Sequence, residues 1–248
     1  MADRFRTSRS LRTVVVWQAL RGVIAEKAAG GAAELRVLDV GGGTGGLAVP
    51  LAVEGHHVTV VDPSPDALAS LERRAGEAGV GVHAVQGDAA GLLDVVGAES
   101  ADLVLCHGVL EHVDDLAPAV AAVVQVLRPG GTLSVLAANR NAVVLARAIG
   151  GHFTEAQHAL DDPAGRWGPG DPLPRRFTEA QLVDLLAGAG LTVGAVHGVR
   201  SFADLVPGAL VDHEPGAAEA LLALEVAAAD RPAFRAVATQ LHVLAGRG

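Results

Sequence analysis

The chain has 248 residues, half of them hydrophobic, with 31 glycines, one cysteine and a formal net charge of −9. A chain this long and this apolar can bury a substantial core, which excludes intrinsic disorder; the lone Cys106 excludes an intrachain disulfide and a CxxC zinc ladder, and fits a reducing, cytoplasmic setting. No uninterrupted apolar run approaches the ~20 residues of a membrane span, and the charge is uneven: +4 over residues 1–27, −10 over 28–139, zero over 140–200 and −3 over 201–248.

The N-terminal segment, 1–30, carries Arg4, Arg6, Arg9 and Arg12 ahead of an apolar stretch that Gln18 and Arg21 interrupt, so it reads as an amphipathic helix rather than a leader. Apolar, β-branched runs then recur at 35–40, 57–62, 80–85, 101–106 and 132–137, with helical stretches at 46–54, 65–78 and 116–127 between them. Continuous apolar strands separated by helices predict an α/β fold whose parallel sheet is covered on both faces. Ser64-Pro65 supplies an N-cap followed by proline in the first turn, and Arg128-Pro129-Gly130-Gly131 stops the third helix and turns the chain. Past residue 138 the pattern predicts a helix at 141–149, a loop-rich stretch at 150–176, a helix at 178–189 and a strand at 191–199. An irregular stretch at 200–215, a helix at 216–229 and a strand at 236–245 complete it. The whole, 1–248, reads as one domain, with a ligand-binding core at 31–139 and elaborations at 140–248.

The first strand runs through Asp39 into Gly41-Gly42-Gly43-Thr44-Gly45-Gly46 and a helix follows. Glycines at a strand-to-helix turn let the backbone approach a ligand and aim amide N–H groups at it. Asp62 ends the next strand, where a carboxylate can accept two hydrogen bonds from ribose hydroxyls. Both a dinucleotide and another nucleoside cofactor satisfy this spacing. After the third strand come Gln86-Gly87-Asp88-Ala89, where an acidic side chain and an amide can meet an adenine edge; after the fourth comes Cys106-His107-Gly108-Val109-Leu110-Glu111-His112. An NAD(P)-dependent oxidoreductase remains the distant alternative, without a catalytic tyrosine, since the chain has none. His107 and His112 are five apart, not the i,i+4 spacing of a helical zinc pair, so no metal is expected.

The ordered set of glycine loop, acidic strand end, Asp88 and the LRPGGTL turn (127–133) resembles the class I S-adenosylmethionine-dependent methyltransferases. The resemblance implies a Rossmann-like, mostly parallel seven-stranded sheet with helices on both faces, and S-adenosylmethionine as cofactor. The segments 11–20, 37–46, 106–113, 127–135, 139–153, 197–205 and 239–245 further resemble the bacterial tRNA methyltransferases that esterify the carboxymethoxy group of wobble uridine. Carried over residue by residue, that resemblance implies cofactor contacts at Arg12, Gly41, Gly42, Asp62, Gly87, Asp88 and His107, to which the reading of the loops adds Asp39, Gly43 and Ala89. Arg12 would pair with the methionyl carboxylate.

For the acceptor, Arg200 in the GVRSF stretch is the candidate anchor for a carboxylate or phosphate, with an ion pair to Asp204 as its competing use. Asn139 and Asn141 stand where class I enzymes present acceptor contacts. The stretch after the fifth strand offers only Arg166, Arg175 and Arg176 against Glu155, Asp161, Asp162 and Asp171. A tRNA partner therefore requires these arginines, Arg200 and the N-terminal arginines to converge on one face; a small-molecule O-methyltransferase of biosynthesis, with His112 as a base for a hydroxyl, is the alternative.

Overall fold

A computed structural model describes residues 2–248, with side chains described for 13–211 and 214–248. Strands β1 (Arg36–Val40), β2 (His57–Asp62), β3 (His83–Gln86), β4 (Ala101–His107), β5 (Leu127–Ala138), β6 (Leu191–Val199) and β7 (Gln240–Arg247) form one sheet in the order β3-β2-β1-β4-β5-β7-β6. β1 pairs in parallel with β2 and β4, β2 with β3, and β4 with β5. Strand order reverses between β1 and β4, the switch point beyond whose C-terminal ends open α/β sheets hold their ligands.

The chain separates into two compact units. The first, Val23–Leu136 with Val183–Ala195 and Val243–Gly248, holds β1 to β4 and most of β5. Its core is aliphatic: Leu35, Leu51, Leu71, Leu92, Leu103, Leu105, Leu127 and Leu133 are fully buried, each worth about 1.5–3 kcal/mol relative to exposure. Local chemistry sets the helix ends here. Ser64 accepts a hydrogen bond from the Ala67 amide with Pro65 in the first turn, and Gly79 closes the helix Pro65–Ala78 in the left-handed conformation. Asp115 likewise caps Leu116–Val126 through the Ala117 amide.

The second unit, Met1–Gly22 with Ala137–Leu182 and Val196–His242, departs most from the sequence pattern. The stretch 150–176 is not irregular throughout: Phe153–Asp161 is a helix, with Ala156 and Ala159 turned inward. The remaining loop is tied to itself, because Arg176 donates to both oxygens of Asp171 at 2.6 and 3.0 Å and to the Gly165 carbonyl. Asp171 also accepts from the Trp167 and Leu173 amides. Burial alone would raise the Asp171 carboxyl, but Arg176 and these two amides outweigh it and hold the group below its ordinary range. The irregular stretch 200–215 contains the short helix Gly208–His213, and the expected start of the last strand falls in the turn that follows the helix Pro232–Arg235, so β7 runs from Gln240 to Arg247. In the first unit β3 begins three residues late, since Val80 still donates back to Ala75 at the helix end. The turn at 128–131 lies within β5: Leu127 pairs with Ala101 and Thr132 with Leu103, so the intervening residues bulge out.

Candidate functional site

A cavity of about 570 Å³ opens at the C-terminal ends of β1, β2 and β3, entirely within the first unit. Gly41 lines it after β1, Asp62 and Pro63 after β2, and Gly87, Asp88, Ala89 and Ala90 after β3; Gly108, Val109 and His112 close it after β4, with Asp114 and Asp115 beyond. At Gly41 and Gly42 its glycine turn has no room for a side chain. A Cβ on Gly41, which sits at φ +68, would lie 2.5 Å from Val109 Cγ2, and one on Gly42 would lie 2.6 Å from Asp39 Oδ2.

Asp62 is held by backbone on both oxygens: Oδ2 accepts from the Gly43 amide at 2.8 Å and Oδ1 from the Ser64 amide at 2.9 Å. A carboxylate offers about four lone-pair sites, so acceptor capacity remains for a ligand's hydroxyls. Asp88 Oδ1 accepts from the Ala90 and Gly91 amides, which sets the β3 loop against the cavity. Asp39 does not line the space. It is buried beneath Gly42, and burial, followed by the charge of Asp62, raises its carboxyl to about 7.

Of the residues expected to contact the cofactor, Gly41, Asp62, Gly87, Asp88 and Ala89 line the cavity. Gly42 and Gly43 build its turn from behind, Gly43 by donating to Asp62. His107 is not among the lining residues: its Nε2 lies 2.8 Å from Ser134 Oγ, and desolvation lowers the imidazole to about 4. The side chain of Arg12 lies outside the described residues. Sequence reasoning missed Pro63, Asp114 and Asp115; the signal was the acidic pair directly ahead of a helix.

In the second unit the three expected acceptor residues make contacts within the protein. Asn139 is buried, and its Nδ2 faces the carbonyls of Arg235, Ala236 and Ala238 at 3.5, 3.1 and 2.8 Å, while its Oδ1 caps the Asn141 amide. Asn141 donates to the Ala236 carbonyl at 2.9 Å. Both amides brace the turn ahead of β7, because buried backbone carbonyls must be satisfied. Arg200 does pair with Asp204, at 2.9 Å, and Asp204 in turn accepts from Thr239 Oγ1 at 2.7 Å. Yet Arg200 Nε is buried with no hydrogen-bond partner among the described residues. The expected convergence of arginines is corrected by Arg176, which is buried in its pair with Asp171 and offers no charge to a surface; Arg4, Arg6 and Arg9 again lie outside the described side chains.

Among the described residues there is no group of three or more histidine, cysteine, aspartate or glutamate side chains placed to hold a metal ion, and no helix is long and apolar enough to cross a membrane.

A family model described as a methyltransferase domain matches residues 38–135. A tRNA 5-carboxymethoxyuridine methyltransferase from Escherichia coli K12 is 32% identical over 96% of this chain and 89% of its own. A ubiquinone biosynthesis O-methyltransferase from Azorhizobium caulinodans is 35% identical over 66% of this chain and 62% of its own. Among solved structures, magnesium protoporphyrin IX methyltransferase from Synechocystis, with bound SAH, superposes with a TM-score of 0.60 at 18% identity, over 99% of this chain and 93% of its own.

Proposed function

The chain belongs to the class I S-adenosylmethionine-dependent methyltransferases, and from that premise we propose that it methylates the carboxylate of 5-carboxymethoxyuridine at the wobble position of tRNA, in the cytoplasm. The observation that carries this reading is the reach of the similarity. The tRNA enzyme matches along 96% of the chain, including the second unit, whereas the ubiquinone-biosynthesis enzyme matches 66%.

The residues present fit the cofactor. Gly41 and Gly42 let the turn pack closely on Val109 and Asp39 at the cavity wall, Asp62 offers ribose hydroxyls an oriented carboxylate, and Asp88 with the Ala89 amide is the group offered to an adenine edge. When bound, S-adenosylmethionine supplies an electrophilic methyl group. An acceptor carboxylate, with a pKa of ~4, is ionised at neutral pH and needs no general base, so what the chain must supply is position and charge complementarity. Arg200 supplies both in this reading: its guanidinium is always charged, and its side chain is partly exposed while Asp204 holds it at 2.9 Å.

One observation favours a small-molecule acceptor as second reading: His112, a candidate base for a hydroxyl, lines the cavity. Labelled S-adenosylmethionine, tRNA bearing free 5-carboxymethoxyuridine and, separately, a metabolite extract distinguish the two. Label in tRNA that survives His112→Ala and is lost in Arg200→Ala is the expected outcome; label only in small molecules, abolished by His112→Ala, overturns the proposal.

A further inference from the structure

The helix Ala217–Ala228 reads AAEALLALEVAA, and within its apolar run Glu225 is fully buried. A charged side chain in that position needs partners, and Glu225 finds them in backbone. Its Oε2 accepts from the Ser201 amide at 2.8 Å, and its Oε1 from the Phe202 and Ala203 amides at 2.9 and 2.7 Å. Three successive N–H groups therefore converge on one carboxyl, an arrangement of short, charge-assisted bonds that fixes the turn.

The residue immediately before those three amides is Arg200, one of two non-glycine residues with positive φ among those described, at +60°. A non-glycine residue stays in that region only when its surroundings over-determine it. The surroundings here do. Glu225 holds the chain on one side of Arg200, and on the other Gly198 lies so close to the turn ahead of β7 that a Cβ on it would sit 2.8 Å from Arg235 Cα. The Thr239 amide donates to the Arg200 carbonyl, and Asp204, steadied by Thr239 Oγ1, takes the guanidinium at 2.9 Å. Asn139 satisfies the carbonyls of that same turn.

We propose that Glu225 is a positioning residue for methyl transfer: its buried carboxyl sets the 200–203 turn, which fixes the guanidinium of Arg200 where an anionic acceptor group is to be held. This inference rests on the reading of Arg200 as the acceptor's anchor. Glu225 touches neither acceptor nor cofactor. It acts by removing the freedom that a long arginine side chain on an unbraced turn would have, and displacements of about 1 Å at a positioning group cost up to about 100-fold in rate.

The test is a double-mutant cycle on the full chain, with methyl transfer to tRNA bearing free 5-carboxymethoxyuridine and calorimetric S-adenosylmethionine affinity as readouts. Glu225→Gln keeps the shape but turns an N–H toward converging N–H groups. Its kcat/KM for tRNA should fall by about 10- to 100-fold through a raised KM, cofactor affinity should stay within about twofold, and adding it to Arg200→Ala should cost nothing more. A Glu225→Gln variant with parental kcat/KM, or one that lowers transfer equally in the Arg200→Ala background, overturns the positioning role while leaving Arg200 in place. Parental transfer by Arg200→Ala overturns the reading of Arg200 itself and the inference with it. Where Glu225→Gln yields no folded protein, Ala203→Pro deletes the amide donor at 2.7 Å, leaves the carboxyl intact and carries the same two-background test.

Discussion

The two units hold their functional groups in opposite ways. In the first, the cavity is made of backbone: Gly41 to Gly43 turn at the end of β1, and Asp62, only 19 residues from Gly43, is oriented by amides at the end of the adjacent strand. In the second, Arg200 stands in a web of buried side chains drawn from distant segments: Asn139 reaches carbonyls 96 to 99 residues away, and Glu225 reaches amides 22 to 24 residues back. A backbone-built site tolerates change in the side chains around it, provided no Cβ intrudes. A web of buried polar side chains fails when one member is removed, because the rest are left unsatisfied.

The largest expected effect comes from a buried ion pair elsewhere in the second unit. Arg176→Ala leaves Asp171 buried without its ion-pair partner, and we expect a loss of about 3–5 kcal/mol in unfolding free energy. Urea titration measures it, and S-adenosylmethionine affinity at a temperature where the variant is folded should remain parental. Joint loss of stability and cofactor affinity would erase the contrast between the units. The first unit has two titratable groups shifted by desolvation, with opposite signs. His107 is lowered from 6.5 to about 4, so its contribution to stability is present above 6.5 and is lost as pH falls to 4. Asp39 is raised from 3.8 to about 7, so its contribution is complete below 3.8 and is lost as pH rises to 7. Between pH 4 and 6.5 the two oppose each other. Relative to the parent, Asp39→Asn should gain stability with rising pH and His107→Gln should lose it, each by up to about 1.4 kcal/mol per pH unit; parallel profiles would show that neither shift exists. A smaller effect sharpens the description of the cavity. Gly42→Ala drives a Cβ to 2.6 Å from Asp39, and the strain, about 1–3 kcal/mol, should appear as weaker S-adenosylmethionine binding by calorimetry. Unchanged affinity would mean that the turn yields without disturbing the cavity.

The same contrast explains what could be read from the sequence. Asp39, the glycine run and Asp62 lie within adjacent strand ends, so their spacing carries their geometry; likewise Ser64-Pro65 announced its helix because a cap is a local event. The second unit has no such local code. Arg176 read as a surface charge because its partner is set by a loop that Asp171 itself folds, and Asn139 read as an acceptor contact because its carbonyl partners arrive from the chain nearly a hundred residues on. Glu225 left one trace, an acidic residue beyond Glu219 in an otherwise apolar helix, and such a pattern marks a buried charge without naming what satisfies it.

Asn141 gives the smallest effect and the finest discrimination. Its Nδ2 donates to the Ala236 carbonyl at 2.9 Å, and the side chain is exposed, so Asn141→Ala should cost about 0.5–1.5 kcal/mol, as one hydrogen bond. If the amide only braces the turn ahead of β7, kcat/KM for tRNA should stay within about threefold of the parent, since Asn139 still holds that turn by three carbonyls. If instead Asn141 contacts the acceptor, as its place after β5 suggested, transfer collapses while the urea midpoint barely moves. That outcome would put an acceptor-binding group within the brace and require the second unit to be read as a site with its support included, rather than as Arg200 and the web that holds it.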